Sequence, residues 1–565
     1  MFEFEELKAL VASVERADSD RGGGYRAISV DSKDIYRCCE LLRDRFDYPL
    51  LLDITAVDRL KLTARPKERF KLVYIFRHAN FRDTLIVETP LREGEEKLES
   101  ITSLFFAADW LERETYDQYG IEFTKHPNLK RILNHMEFEG HPLRKDYPID
   151  KRQLCTRTQD MFDELFPKLE RKGLDPERDA LMILNLGPSH PASHGTIRTI
   201  TALDGERIVA AASEIGYLHR GFEKSAEECR YNQIVPYTDR LNYCSALMNN
   251  IGYAKCVEDR LGIELPARAV FIRVMLAELS RIIDHLVCLA AGLLDMGAQT
   301  NYWYLFNPRN DAYDFLSRLT GARLTNSYMR IGGMTADLYE GWESDLQNVL
   351  RKVEKGVDES LVMIEHNRIF IERTQDISPV SAQEALSYGF TGPNLRASGV
   401  PYDLRFARPY YFYDDFDFEM VIGSHGDTYD RMMVRFEEIS QSIGIIRQAM
   451  KEIPEGAINI DDKSIVLPPK RDVYETIEGT INQFKLIFEG FKVPAGELYS
   501  ATEAANGELG FYLVSDGGPK PYKLKVRAPS LLHMQAYPDI ITDYQLADAI
   551  MTLGSLNIIA GEMDR

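Results

Sequence analysis

Apolar residues recur at helical spacing from the first positions of the chain (Phe2, Phe4, Leu7, Leu10, Val11) and predict a helix within the first 20 residues. The pattern then shifts to short runs rich in β-branched and aromatic residues. Those at 49–57, 70–76 and 84–89 predict strands. Residues 101–119 return to a helical period. Helices flanking a small sheet predict an α+β domain, ending near Tyr147 and Pro148. From 150 to about 179 the chain is densely charged and bounded by breakers, as expected of a linker carrying a short helix. Beyond 180 the character changes. The apolar run LMILNLG (181–187) leads into a loop, and long helices follow. The stretch 267–296 is apolar on nearly every side, the pattern of a helix buried all round at the centre of a large helical domain. Two strands are expected at 509–515 and 522–526, joined by a turn containing Asp516-Gly-Gly-Pro-Lys. No internal repeat or low-complexity tract interrupts this order.

Length and charge narrow the picture. At 565 residues the chain exceeds one ordinary core, so two or more domains are expected. Every apolar stretch is broken before 18 residues, the richest (286–294) by Asp295, so no transmembrane helix is expected. The acidic start MFEFEELKAL is unlike a secretory signal. A formal net charge of −20 argues against nucleic acid, whose phosphates need surplus Lys and Arg. Cys38, Cys39, Cys155, Cys229, Cys244, Cys256 and Cys288 form no C-x-x-C pair. A disulfide framework, a zinc site or an iron–sulfur cluster held by this chain alone is therefore not expected, and a reducing cytoplasm fits best.

Four segments carry unusual chemistry. In Gly187-Pro-Ser-His-Pro-Ala-Ser-His-Gly195, His190 and His194 stand four apart among breakers, so they lie on a loop that can aim an imidazole at a ligand. The plain alternative is a turn whose histidines satisfy backbone carbonyls. Pro236-Tyr-Thr-Asp-Arg-Leu-Asn-Tyr243 supplies two phenols and an Asp-Arg pair, although both tyrosines could be core aromatics. Asp295 closes the long helix in Leu294-Asp-Met-Gly-Ala298, where a buried carboxylate needs a partner such as histidine. The fourth is the C-terminal set 507–518, 525–530 and 561–565, each compatible with turns and strand ends. Within the long helix Glu278, Arg281 and His285 make a polar stripe, read first as an internal ion-pair network and alternatively as a relay. No dinucleotide fingerprint, P-loop, H-E-x-x-H or G-x-S-x-G motif is present.

Taken together, these segments resemble one family. Residues 180–565 are similar to the hydrogenase-like D-type (49-kDa) subunit of respiratory complex I. The likeness rests on GPSHPASHG, EIGYLHRGFEK (214–224), PYTDRLNY, RAVFIRVMLAEL, LDMGA, GARL (321–324), RIGG (330–333), TGPNLRASG (391–399), GDTYDR (426–431), GELGFYLVSDGG and KVRAPS. Residues 1–147 resemble its C-type (30-kDa) partner through ERETYDQYGIEFTKHPNLKRIL (112–133) and GHPLRKDYP (140–148), with 148–179 as the connecting linker. Both on one chain resemble the fused C/D arrangement of some bacteria. The fold implied is α+β: a small N-terminal α+β domain and a large, mainly helical domain like the nickel–iron hydrogenase large subunit, with small β-sheets.

The resemblance implies a peripheral-arm subunit of a proton-translocating NADH–quinone oxidoreductase, not catalytic alone, on the cytoplasmic side of the membrane. It implies that the quinone headgroup lies between His194 and Tyr243, with Asp295 orienting His194, and with His190 and Gly195 in the same loop. Arg220 would sit near a 4Fe–4S cluster carried by a small B-type subunit, and Arg281 and His285 would be relay candidates. No cofactor is expected on this chain. Ferredoxin-like I-type, G-type and membrane H-type subunits are the further partners implied. Hydrogenase chemistry is the rival, but the segments around 217–224 and 557–562, where thiolate pairs would hold nickel and iron, contain no cysteine. A pure scaffold is the third reading, and a scaffold has no need of His194, Tyr243 and Asp295 together.

Three positions depart from the family pattern. Thr325 stands where many members have a histidine associated with the terminal cluster, which implies that the cluster's potential depends weakly on pH. Asn242 stands where the family's R-x-D-Y has a carboxylate. Asn557 stands where Asp is common.

Overall fold

The computed structural model describes residues 4–17, 25–62, 67–157 and 160–565. Phe2, placed by its spacing in the first helix, lies outside them, and that helix spans Phe4–Leu10 with Leu7 buried. The N-terminal sheet has five strands, ordered in space Glu15–Arg16, Arg26–Ser29, Thr84–Leu91, Phe70–Arg77, Leu50–Asp58. The second and third of these run parallel and the others antiparallel. The expected helix at 101–119 is regular only over Ala108–Tyr119. Residues 101–107 are turns, and the Glu112 carboxylate accepts from the Ile101 N–H at 2.8 Å.

Strands Leu50–Asp58 and Phe70–Arg77 are buried on both faces, so neither face reads as solvent-side alternation. Along Phe70–Arg77, successive side chains point to opposite faces. Phe76 packs on Phe105 on the helix side, whereas Lys71 reaches Glu497 and Glu88, and Arg77 reaches Glu508 at 2.7 Å. These charges meet a C-terminal antiparallel sheet, Gly496–Ala504, Gly507–Ser515 and Lys523–Arg527. Lys525 lies 2.5 Å from Glu114 and 3.9 Å from Asp53, and Arg565 reaches Glu114 at 2.5 Å. Each buried charge at this junction has an opposite partner, which offsets the cost of removing it from water.

In the charged stretch that follows, helix Phe162–Arg171 turns Leu165 and Leu169, with Met161, onto Ile200, Ala202, Ala210 and Ala212 of a second three-stranded sheet. That sheet comprises Met182–Leu186, Arg198–Asp204 and Arg207–Glu214. The centre of the larger part is helix Ala267–Asp295, as its all-round apolar pattern predicts. It packs against Ala246–Leu261, Gln299–Thr320, Thr428–Glu452 and Leu546–Leu556. Among the described residues, no helix is long and apolar enough to cross a membrane.

Candidate functional site

The histidine loop folds as a single 3-10 turn, Pro191–Ser193, flanked by its two imidazoles. His190 Nδ1 accepts the Ala192 N–H at 3.1 Å, so that ring is used as a cap. His194 ends the turn in the left-handed region (φ 50°), and Ser193 Oγ braces the loop by donating to the His190 and Gly195 carbonyls. This backbone turns the His194 ring toward the last residue of the central helix. His194 Nε2 lies 2.6 Å from Asp295 Oδ2. The two side chains are 17% and 20% exposed, so Asp295 is a half-open carboxylate rather than the fully buried one its helix suggests.

Helix Leu546–Leu556 closes one side of this pair. A Cβ on Gly554 would stand 3.3 Å from both Asp295 Oδ2 and His194 Cε1. Cys288, on the same stripe of the central helix, donates to the Gly554 carbonyl at 3.4 Å. Gly195 packs where an added Cβ would meet Ala560 at 3.3 Å.

Tyr243 opens a second 3-10 turn, Tyr243–Ser245, and is 45% exposed. Asn242 caps that turn, its Oδ1 accepting the Cys244 N–H at 3.1 Å. Partial burial raises the Tyr243 phenol above its ordinary value, with Cys244 and Asp284 adding to the effect. Asp284 and Asp295 lie eleven residues apart on one helix, close to three whole turns, so they share a face about 16 Å long. Tyr243 belongs to the Asp284 end and His194 to the Asp295 end. Leu294, next to Asp295 in the chain, is exposed.

Arg220 stands elsewhere. It lines a cavity of about 330 Å³ with His219, Lys224, Glu114 and Arg565, and donates to the Tyr237 carbonyl at 2.7 Å. Burial and the nearby Arg240 lower its pKa. Arg281 and His285 are fully buried in an ion network: Arg281 with Glu278 at 3.1 Å, His285 Nε2 with Glu438 at 2.9 Å. Burial lowers the His285 pKa. Thr325 sits in the left-handed region (φ 53°), in a loop tied to the tyrosine segment through Asp239 and the Ser327 hydroxyl.

The two segments that would carry hydrogenase thiolates are neighbours in space. Asp564 accepts from the Gly216 and Leu218 N–H groups at 3.0 and 2.8 Å, and His219 Nδ1 lies 2.7 Å from the Asp564 carbonyl. Carboxylate, imidazole and backbone meet there, a donor set without thiolates that does not fit a nickel–iron centre. Sequence reasoning did not single out Gly554 or Asp284, and it reached Glu562 only as part of the 561–565 segment. The one signal for Asp284 was indirect, in the departures Asn242 and Asn557, which both bond to it.

Two family models match separate parts of the chain. Residues 28–153 match the family model of the respiratory-chain NADH dehydrogenase 30 Kd subunit, and residues 295–565 that of the 49 Kd subunit. The NADH-quinone oxidoreductase C/D subunit of Bdellovibrio bacteriovorus is 48% identical over 568 residues, covering 100% of both chains. The C/D subunit of Azotobacter vinelandii is 39% identical over 92% of this chain and 89% of its own. The D subunit of Pelobacter propionicus is 50% identical over 68% of this chain and 95% of its own. The chain therefore belongs to the family of respiratory-chain NADH dehydrogenase (complex I) subunits. Within it, the chain is of the fused C/D kind, a peripheral-arm component of NADH–quinone oxidoreductase.

Proposed function

We propose that the His194–Tyr243 face is one wall of a quinone-headgroup site, completed by a neighbouring small subunit that carries a 4Fe–4S cluster. The observation that carries this reading is the His194–Asp295 contact of 2.6 Å at a partly open surface, on the same helix face that holds the half-exposed Tyr243 at its other end. Because the pair stays partly open, its imidazole remains within reach of a ligand.

Reduction of a quinone takes two electrons and two protons, and charge develops on its two carbonyl oxygens. An imidazole and a phenol each donate to one oxygen, and Asp295 orients the imidazole. A cluster on that neighbouring subunit would supply the electrons, and we place Arg220 beside it. Gly195 gives the His194 loop its close approach to Ala560. Arg281 and His285 act as structural groups, since their partners are buried carboxylates. The partners are the B-type, I-type, G-type and membrane H-type subunits, which hold the chain at the cytoplasmic face of the membrane. The domain division is 1–147 (C-type), 148–179 (linker) and 180–565 (D-type).

In an assembled complex, Tyr243→Phe should lower quinone reduction at least about tenfold while the subunits still co-purify. Wild-type turnover in that assembled variant would remove Tyr243 from the reaction.

A further inference from the structure

Asp284 lies midway along the central helix, 1% exposed, and its two oxygens face different elements. Oδ2 accepts from Asn242 Nδ2 at 2.6 Å, and Oδ1 accepts from Asn557 Nδ2, also at 2.6 Å. Its immediate hydrogen-bond partners are amides, so the charge is held by dipoles. Asn242 is bound at every polar atom of relevance: its Oδ1 caps the Cys244 N–H, its Nδ2 is on Asp284, and its carbonyl accepts from Asn249 Nδ2 at 2.9 Å. The residue that follows it is Tyr243. Asn557 in turn bonds Asn506 Oδ1 at 2.6 Å, and Asn506 bonds the buried Glu562 at 3.4 Å.

The two asparagines that depart from the family pattern therefore sit on one carboxylate. We propose that Asp284 is the positioning residue of Tyr243. It supplies the carboxylate missing at position 242, and it fixes, through Asn242, the turn that presents the phenol. This rests on the quinone-site reading of Tyr243. The polarity of the clamp is what makes it specific. Amide–carboxylate–amide gives each carboxylate oxygen an N–H donor, whereas an amide at all three places sets one NH2 against another. A carboxylate at both 242 and 284 sets two like charges in hydrogen-bond contact, and one must take up a proton. Exchanging the groups restores the match. A carboxylate at 242 still accepts from the Cys244 N–H and now also from an amide at 284, whose oxygen accepts from Asn557. Asp284 also raises the Tyr243 phenol electrostatically, a second route by which its charge reaches the site.

The test compares assembled complexes carrying Asp284→Asn, Asn242→Asp and the double exchange. It reads NADH-driven reduction of a short-chain ubiquinone analogue and amide hydrogen exchange of the peptide over 242–249. Each single variant should lower kcat/KM about tenfold or more and speed exchange at the Cys244 amide. The double variant should recover both readouts. A single variant that fails to assemble is judged by the double: restored assembly supports the clamp, and unrestored assembly overturns it. Unaltered exchange in the single variants, or a double variant no better than the worse single one, also overturns it. If exchange moves and recovers while turnover stays at wild type throughout, the clamp stands and the quinone reading of Tyr243 falls.

Discussion

The central helix carries two polar stripes built on opposite terms. On one, Glu278, Arg281 and His285 join Arg396, Arg405, Asp403, Glu438 and Glu503 in a closed ionic network. Arg396 alone reaches Glu438 at 2.7 Å and Glu503 at 2.8 Å, and Arg405 reaches Asp403 at 2.7 Å. On the other, Asp284 and Asp295 are held by amides and an imidazole, and nearby Glu562 by Ser530 and Asn506. Guanidinium groups keep their protons throughout the working range, so the first stripe is electrically fixed. The second holds its carboxylates by amides, a hydroxyl and an imidazole, with no guanidinium among those hydrogen bonds. The difference teaches that one element can hold charge in two ways: the fixed stripe locks the helix to its neighbours through guanidinium–carboxylate pairs, and the other runs from the buried Asp284 to the partly open Asp295.

The largest effect should come from breaking the fixed stripe. Arg396→Met leaves Glu438 and Glu503 buried without their cation, which should cost roughly 3–5 kcal/mol of stability. Thermal unfolding of the full chain would show it, and an unchanged transition would mean that the network contributes nothing net.

Next is Glu562, near the second stripe. Burial raises the Glu562 carboxyl to about 7 from 4.5, opposed by hydrogen bonds from Ser530 and Asn506 and by Arg527, and reinforced by Asp284. The folded chain therefore holds this proton more tightly than the unfolded chain. The associated stability is complete below pH 4.5 and is lost as pH rises through 7, by about 3 kcal/mol. Glu562→Gln should flatten that part of the decline in melting temperature between pH 5 and 8. A slope as steep as wild type would show that Glu562 ionises freely. Residual slope is expected from Glu112, raised by burial to about 8, and Asp564, raised to about 6.

The smallest effect sharpens the contrast most. Gly554→Ala adds a methyl 3.3 Å from Asp295 Oδ2 and His194 Cε1, so the pair must shift by a few tenths of an ångström. Alanine favours the helix by up to ~1 kcal/mol. Turnover should fall severalfold while the melting temperature holds or rises. A variant that loses both together would place Gly554 with the fixed stripe instead.

The helix that bears both stripes was legible from the sequence, because a segment apolar on nearly every side has only the interior to occupy. Strands Thr84–Leu91 and Phe70–Arg77 were legible from their β-branched and aromatic content. Strand Gly496–Ala504 was not, since GELYSATEA mixes charge and small residues, and it is burial against neighbours that makes it a strand. Residues 101–107 carry the apolar spacing of a helix but fold as turns, a tertiary arrangement anchored by Glu112. His194, Tyr243 and Asp295 stood out in their separate segments, and only the resemblance joined them into one site. Their spacing alone could not separate a site from a set of ordinary core contacts. Asp284 was hidden because its partners lie 42 and 273 positions away and are neutral amides, which leave no charge pattern to read.

The junction of the N-terminal sheet with the C-terminal one has a consequence for the fusion itself. Lys71 with Glu497, Arg77 with Glu508, and Glu114 with Lys525 and Arg565 bind the two halves through charges that separation would strand in apolar surroundings or force back into water. The halves thus carry their own adhesive, and the peptide joining them acts as a tether that raises local concentration rather than as glue. That is the circumstance in which a protein can exist equally well as one polypeptide or as two, in keeping with relatives such as the Pelobacter propionicus D subunit, which aligns with 68% of this chain.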